Sequence, residues 1–279
     1  MLCEAFSLSD LHPDLKDSTA RLSVYARDPA GALADETPRW GVLILPGGGY
    51  WVVAPADGEP VALAFLAAGM QAFVLEYSVA PARWPQAFLE AAAAVAFLRK
   101  NAARYQLHLH RIAVCGFSAG GHLAGCLCNL WGDPLIHTEL GLAPTDVRPD
   151  AGVLCYPVIS AALSADGSTF PNLLGEDWKR SGRVDLSLET SVTPTNPPAF
   201  LWTTWEDGSV PMENTLAYAA ALRRQGVPFD LHVFQHGPHA MGLATDECAR
   251  DGEHRDPRAA GWHPLCVSWL RRIENELPG

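Results

Sequence analysis

The amino-acid sequence predicts an α/β fold, in which a mostly parallel β-sheet is covered by helices on both faces. Short apolar runs rich in Val, Leu, Ile and Phe alternate along the chain with longer amphipathic or alanine-rich stretches. Such runs are typical of strands buried on both faces, and parallel neighbours need a crossover that is usually a helix. The chain has 279 residues, of which 48% are hydrophobic and 18% charged, so it can bury one large core. We therefore predict a single domain over residues 1–279.

The predicted elements alternate in order from residue 42 onward. The predicted strands cover residues 42–45, 72–75, 112–115, 152–155, 199–202 and 229–234. The predicted helices cover residues 59–68, 86–104, 119–130, 212–225 and 263–275. Residues 159–197 break the alternation because they are rich in Ser, Gly, Pro and Asn and have no clear period. We interpret this stretch as a short lid insertion, with a plain surface excursion as the alternative.

Composition and charge exclude several classes of function. The chain has 20 Lys and Arg against 31 Asp and Glu, a net charge of −11, and no basic cluster stands out. Nucleic acids are therefore not expected partners. The first residues lack the pattern of a signal peptide, and no segment reaches the ~18 uninterrupted apolar residues that span a bilayer. We expect a cytoplasmic protein that does not bind membranes, and the sequence leaves self-association into a homo-oligomer open.

The seven cysteines are interpreted as reduced structural thiols. Cys115, Cys126 and Cys155 lie in apolar stretches, where a small hydrophobic side chain is expected. Cys126 and Cys128 are separated by one residue, which is not the spacing of zinc-binding or thioredoxin-like pairs. We predict no metal ion and no cofactor.

The strongest chemical signal is the sequence Gly-Phe-Ser-Ala-Gly at residues 116–120. It fits Gly-x-Ser-x-Gly and lies directly between a predicted buried strand and a predicted helix. In this context, typical of the α/β-hydrolase fold, the turn is so sharp that only glycines fit two residues to either side, and the serine hydroxyl is presented above the sheet. We predict that Ser118 is a nucleophile, and the alternative is a structural Ser-Gly turn.

A serine hydroxyl needs a base that takes its proton, and this fold orders the residues along the chain as Ser, acid, His. Of the ten histidines, His236 and His239 lie in the loop after the last predicted strand. We favour His239, because His236 follows the strand so closely that it is expected to point away. The loop after the strand at 199–202 offers Glu206 and Asp207, and we favour Asp207 as the acid because it occupies the turn itself.

Two other histidines receive a structural interpretation. His122, one turn into the helix after the nucleophile, is interpreted as a packed or hydrogen-bonded residue of that helix rather than a catalyst. His12 is expected to precede the sheet.

The loop Pro-Gly-Gly-Gly-Tyr at residues 46–50 is predicted to bind the oxyanion of a tetrahedral intermediate. The backbone N–H groups of Gly48, Gly49 and Ala119 are the expected donors. A glycine triple could instead form a phosphate loop, but no Gly-Lys-Ser/Thr follows it. The bulky Tyr50 and Trp51 come next and are predicted to bind substrate as walls of an acyl pocket.

These residues resemble the bacterial α/β-hydrolase carbohydrate esterases, the group of acetyl-xylan esterases and bifunctional feruloyl/acetyl-xylan esterases. The resemblance covers roughly residues 40–275 and includes, besides the elements above, Asn172-Leu173-Leu174-Gly175, Val210-Pro211-Met212-Glu213-Asn214 and Gly237-Pro238-His239. By position, it places the nucleophile, acid and base of the family on Ser118, Asp207 and His239, and its oxyanion loop on Gly48 and Gly49.

The chain departs from this family at two places. Members often have Tyr-Arg where this chain has Tyr77-Ser78, and often have a histidine where it has Thr203. Both differences are expected to change substrate preference, and neither affects the three predicted catalytic residues.

The resemblance implies a serine esterase that acts on acetyl esters of sugars or xylo-oligosaccharides through an acyl-enzyme, with a small-molecule ester as its partner. Two features of the chain favour a short acyl group. Tyr50 and Trp51 directly follow the oxyanion loop, and the insertion at 159–197 is too short for the broad lid of long-chain lipases. The alternatives are an arylformamidase-like, lactone or peptide hydrolase on the same fold, and a non-catalytic small-molecule receptor.

Overall fold

An eight-stranded sheet organises the residues that the computed structural model describes, which are 1–28, 37–163, 167–179 and 186–276. The strands are β1 (Leu2–Ser7), β2 (Arg21–Ala26), β3 (Arg39–Leu45), β4 (Gln71–Glu76), β5 (Leu107–Phe117), β6 (Ala151–Cys155), β7 (Ala199–Thr204) and β8 (Phe229–Phe234). Their spatial order is β1-β2-β4-β3-β5-β6-β7-β8. The β1/β2 and β2/β4 pairs are antiparallel, and the others are parallel. The predicted α/β class is confirmed.

Helices cover both faces of this sheet. They are α1 (Leu8–Leu11), α2 (Glu59–Ala67), α3 (Gln86–Lys100), α4 (Ala119–Leu130), α5 (Pro134–Leu140), α6 (Pro144–Val147), α7 (Thr169–Leu174), α8 (Glu213–Arg224) and α9 (Trp262–Ile273). Buried residues of α2 and α9 share one hydrophobic cluster, and those of α3, α4 and α8 share another. No helix in the described ranges is long and apolar enough to cross a bilayer.

Strand β3 shows why the core divides into two layers. Successive strand side chains point to opposite faces, so Leu43 and Leu45 join the cluster of α3, α4 and α8, whereas Val42 and Ile44 join that of α2 and α9. All four side chains are fully buried, and the burial of each stabilises the folded state by ~1.5–3 kcal/mol. The continuous apolar run of this strand is therefore explained by its burial on both faces.

The predicted elements after residue 42 all overlap an observed element of the same type, but the sheet begins earlier than predicted. The expectation that His12 precedes the sheet is wrong, because this residue lies between β1 and β2. Strand β1 alternates between half-buried and exposed residues, and β2 between buried and more exposed ones. These strands therefore lack the continuous apolar run by which the others were found. The predicted helix at 86–104 ends at Lys100.

The insertion at 159–197 is built partly of regular structure. It contains α7 and a 3-10 turn at Leu188–Thr190, and its residues 164–166 and 180–185 lie outside the described residues. The side-chain oxygen of Asn214 accepts hydrogen bonds from the N–H groups of Ile159 and Ser160, at 3.0 and 3.1 Å. Asn214 belongs to the Val-Pro-x-Glu-Asn motif, so this motif fixes the start of the insertion. Its function as a lid stays a prediction.

Strand β5 and helix α4 meet at a very close approach to β3. A Cβ atom placed on Gly120 would lie 2.1 Å from the backbone oxygen of Leu45, and one placed on Gly116 would lie 2.1 Å from the backbone oxygen of Gly120. These neighbours are backbone atoms, which cannot turn aside as a side chain can. The glycines on either side of Ser118 are therefore required by packing.

We predict that Gly120→Ala strongly destabilises the protein, because its methyl group must displace the end of β3. Overpacking costs about 1–3 kcal/mol, and the rigid neighbours place this variant at or above the upper value. Gly132→Ala is the matched control, since a Cβ atom there meets no atom within 4 Å. Urea unfolding of both variants measures the difference, and equal stabilities would contradict the packing argument.

Candidate active site

Three side chains from different loops meet at the carboxyl edge of the parallel strands. Ser118 follows β5, Asp207 follows β7 and His239 follows β8. The Ser118 Oγ atom lies 2.7 Å from His239 Nε2, and His239 Nδ1 lies 2.6 Å from Asp207 Oδ2. The structure thus brings together the three residues chosen from the sequence. The catalytic role of each stays a prediction at this point.

Ser118 has an unusual backbone conformation, with φ 54° and ψ −118°. A side chain rarely adopts positive φ, and such outliers persist only where the surroundings fix them. Here the N–H group of Ser118 donates to the carbonyl of Cys155, and its own carbonyl accepts from the N–H groups of His122 and Val158. These bonds hold the serine on its sharp turn at the start of α4.

Asp207 is held so that one of its carboxylate oxygens remains for the histidine. Its side chain is only 1% exposed, and its Oδ1 atom accepts hydrogen bonds from the N–H groups of Ser209 and Val210, at 3.0 and 2.8 Å. Since Oδ2 is an acceptor, it selects the His239 tautomer that carries its proton on Nδ1. The unprotonated Nε2 then faces the hydroxyl of Ser118 as a base.

Glu206 and His236 form a separate, exposed pair beside this site. Glu206 Oε1 lies 3.0 Å from His236 Nδ1, and Glu206 Oε2 accepts a hydrogen bond from the N–H group of Gly237 at 3.1 Å. The hydrogen bond with His236, followed by that from Gly237, holds the pKa of Glu206 below its usual value. Glu206 thus stabilises the loop that carries His239 without contacting that residue.

The glycine loop after β3 forms a tight turn beside the serine. A Cβ atom on Gly48, whose φ is +126°, would lie 2.0 Å from the carbonyl oxygen of Val52, and one on Gly47 would lie 3.2 Å from Ser118 Cβ. Within the described part of the chain, the N–H groups of Gly48 and Gly49 donate to no protein acceptor. The N–H of Ala119, in the first turn of α4, has no acceptor within its own helix. The binding of an oxyanion by these three N–H groups stays a prediction.

Tyr50 and Trp51 occupy very different environments. Tyr50 is 2% exposed, and its hydroxyl lies 3.0 Å from His122 Nδ1, whereas Trp51 is 65% exposed. The other ring nitrogen of His122 lies 2.9 Å from the carbonyl oxygen of Leu186 and donates to it, so Tyr50 donates to His122. The interpretation of His122 as a packed, hydrogen-bonded residue is confirmed. The substrate-binding role of Tyr50 and Trp51 stays a prediction, and the Tyr50 hydroxyl is engaged within the protein.

Sequence reasoning missed a contact between the insertion and the glycine loop. The side chain of Asn172, in α7, donates to the carbonyl of Gly49 at 2.9 Å, and the carbonyl of Asn172 accepts from Arg83 at 2.6 Å. The Asn-Leu-Leu-Gly motif carried the family resemblance without a stated role. The asparagine of this motif, Asn172, therefore supports the glycine loop through a hydrogen bond to its backbone.

A buried carboxylate, Asp57, was also missed. It is 2% exposed and accepts a hydrogen bond from the N–H group of Gly47 at 3.1 Å. The sequence signal was a single Asp in an Ala-Pro-Ala-Asp-Gly stretch, which reads as an ordinary turn. Its burial depends on the tertiary fold.

In the described ranges, no group of three or more His, Cys, Asp or Glu side chains could hold a metal ion.

All seven cysteines are free, and all except Cys3 are buried. Burial raises the pKa of Cys128 to about 12 and that of Cys248 to about 11, so both thiols are protonated at neutral pH.

Comparison with known proteins places the chain in a family. The BD-FAE family matches residues 34–143, and the prolyl oligopeptidase family matches residues 170–255. An acetyl ester-xyloside bifunctional hydrolase from Caldicellulosiruptor lactoaceticus is 36% identical, with a TM-score of 0.76 over 91% of this chain and 88% of that one. The chain belongs to the α/β-hydrolase esterases. The family resemblance seen in the sequence is confirmed.

Two further relatives show how much of their own length this α/β-hydrolase esterase matches. A carboxylesterase from Lactobacillus plantarum WCFS1 is 26% identical, with a TM-score of 0.85 over 100% of both chains. Endo-1,4-beta-xylanase B of Butyrivibrio fibrisolvens is 36% identical over 217 residues, which are 76% of this chain and 34% of that protein. The esterase therefore spans about a third of the length of this curated relative.

We predict that Asp207→Asn lowers kcat of this esterase by about 10²–10⁴-fold, because an amide in place of the carboxylate favours the wrong imidazole tautomer. Glu206→Gln, one residue away, is the matched control and leaves kcat within about twofold, since Glu206 and His236 are both exposed and solvent screens their interaction. Steady-state kinetics with p-nitrophenyl acetate compares the two. The opposite ranking would assign the orienting role to Glu206.

Proposed function

We propose that this α/β-hydrolase is a serine esterase in which Ser118 is the nucleophile, His239 the general base and acid, and Asp207 the residue that orients the imidazole. The observation that carries the proposal is the continuous hydrogen-bonded chain from Ser118 Oγ through His239 to Asp207 Oδ2. Each member lies on a different loop, so the alignment depends on the whole sheet rather than on local sequence. A non-catalytic receptor would not require this alignment.

The chemistry proceeds in two acyl transfers. His239 Nε2 takes the hydroxyl proton of Ser118 while Oγ attacks the acyl carbonyl, and the N–H groups of Gly48, Gly49 and Ala119 stabilise the resulting oxyanion. The imidazolium then donates its proton to the departing alcohol oxygen, which leaves an acyl-enzyme. Water, deprotonated by the same imidazole, attacks this ester, and the imidazolium returns its proton to Ser118 Oγ as the bond to the acyl group breaks and the carboxylic acid leaves.

We infer that the natural substrate is a short-chain ester, an acetyl ester of a sugar or xylo-oligosaccharide. The similarity to a protein described as an acetyl ester-xyloside bifunctional hydrolase supports the sugar and the acetyl group. The contact of Asn172 with the Gly49 carbonyl supports a small acyl site, because it anchors α7 directly against the glycine loop. Tyr50, the last residue of this loop, is buried and its hydroxyl is bonded to His122, which limits how far the loop can move to admit a larger acyl group.

We predict that kcat/KM for p-nitrophenyl esters falls along the series from acetate to octanoate. A roomy pocket would gain ~0.8 kcal/mol for each added methylene, so kcat/KM would rise with chain length. Peracetylated xylose and a formanilide are tested beside the p-nitrophenyl esters. Ser118→Ala is the inactive control in every reaction. A maximum at octanoate would refute the short-acyl site, and preference for the formanilide would favour arylformamidase-like chemistry.

A further inference from the structure

Asp57 lies between the glycine loop and the loop that carries His239. It closes a 3-10 turn at Pro55–Asp57, directly before α2. Its Oδ2 atom accepts the N–H of Gly47 at 3.1 Å, and its Oδ1 atom accepts the hydroxyl of Tyr156 at 3.2 Å. Gly47 immediately precedes the oxyanion donors, so one oxygen of this carboxylate fixes the beginning of that loop.

Tyr156 connects the other oxygen of Asp57 to the histidine loop. Its hydroxyl accepts the N–H of Gly242 at 2.9 Å, and its ring packs edge-on against the imidazole of His239, with 5.1 Å between ring centroids. The carbonyl of Gly242 in turn accepts the indole N–H of Trp262 at 3.0 Å. The histidine loop is thereby tied through Tyr156 to the same carboxylate that holds Gly47.

We propose that Asp57 is a positioning residue of the esterase, which holds the oxyanion loop and the His239 loop in register around Ser118 and does so only in its carboxylate form. The inference rests on the proposed serine-esterase function. Asp57 touches no reacting atom in this scheme, and it acts through Gly47 and Tyr156.

The chemistry of the two hydrogen bonds explains why a carboxylate is required. Both partners of Asp57 are donors, and an ionised carboxylate is an acceptor at both oxygens. A protonated acid or an amide presents a donor at one of its two ends, so one of the two loops loses its anchor. Displacement of a catalytic group by about 1 Å can cost about 10²-fold in rate.

Asp57 is kept in this form at a cost in stability. Burial raises its pKa from 3.8 to about 6, while the hydrogen bonds from Gly47 and Tyr156, followed by electrostatic interactions with His239 and Arg250, act in the opposite direction. The other titratable groups coupled to it are the hydroxyl of Tyr77 and the thiol of Cys248, both neutral at this pH. The folded protein binds the proton of Asp57 more tightly than the unfolded chain does. This group therefore makes the wild-type protein progressively less stable as pH rises from about 4 to about 6.

The test compares Asp57→Asn and Tyr156→Phe with the wild-type enzyme. Tyr218→Phe is the matched control, because Tyr218 is equally buried but donates its hydroxyl to Asn129, outside this network. We expect kcat for p-nitrophenyl acetate to fall about 10²-fold in Asp57→Asn and about 10-fold in Tyr156→Phe, with KM within about threefold. Tyr218→Phe keeps kcat within about twofold.

The pH profile of kcat/KM separates a positioning role from a purely structural one. The acid limb of kcat/KM for the wild-type enzyme contains an ionisation near pH 6 that Asp57→Asn lacks. The melting temperature of Asp57→Asn, measured relative to the wild type, rises as pH increases from about 4 to about 7. A purely structural carboxylate would give the same stability profile, but the variant would keep a normal kcat per folded molecule and an unchanged acid limb of kcat/KM.

The proposal is overturned if Asp57→Asn and Tyr156→Phe both retain wild-type kcat, or if Asp57→Asn leaves the acid limb unchanged. Should Asp57→Asn fail to fold, wild-type kcat in Tyr156→Phe alone overturns it. Ser118→Ala distinguishes this failure from that of the proposed function. An inactive Ser118→Ala beside a fully active Asp57→Asn refutes only the positioning role, whereas an active Ser118→Ala refutes the esterase mechanism itself.

Discussion

The candidate site depends on the close approach between the start of helix α4 and the end of strand β3. Gly120 fits against the backbone of Leu45 with no room for a side chain, and the same contact places Ser118 directly beside the glycine loop that continues β3. The proposed nucleophile and the proposed oxyanion donors therefore follow neighbouring parallel strands whose register is fixed by the sheet. If this crossing were wider, the serine and the N–H groups proposed to bind the oxyanion could not act on the same carbonyl.

Around that crossing, side chains from separate elements support the glycine loop by hydrogen bonds. Asp57 holds its beginning at Gly47, Asn172 holds the carbonyl of Gly49, and His122 holds the hydroxyl of Tyr50. Buried polar groups of this kind are costly when unpaired and rigid when fully paired. The loop is thus pre-organised, which is what stabilisation of a developing oxyanion requires, since donors that must move would lose most of their advantage.

The proposed nucleophile, base and acid could be chosen from the sequence because their chemistry is tied to local patterns. Ser118 lies in a glycine-bounded strand–helix turn, and Asp207 and His239 lie in loops after later strands. The parallel strands were recognised by their apolar runs, whereas β1 and β2 were missed because alternating, partly exposed strands give a weaker signal. The supporting residues could not be recognised in the same way. Asp57 and His122 act through partners 10 and 72 positions away in the chain, and such pairing is created only by the tertiary fold.

The central claim is that Ser118 forms a covalent acyl-enzyme, and trapping that species tests it most directly. The wild-type protein is incubated with p-nitrophenyl acetate, quenched in acid, digested and analysed by mass spectrometry, with His239→Ala as a variant that retains the serine but lacks the base. We expect an acetyl group on the peptide that contains Ser118 in the wild type and its near absence in His239→Ala. Turnover of the ester with no adduct on Ser118, or with the adduct on another residue, would contradict the account.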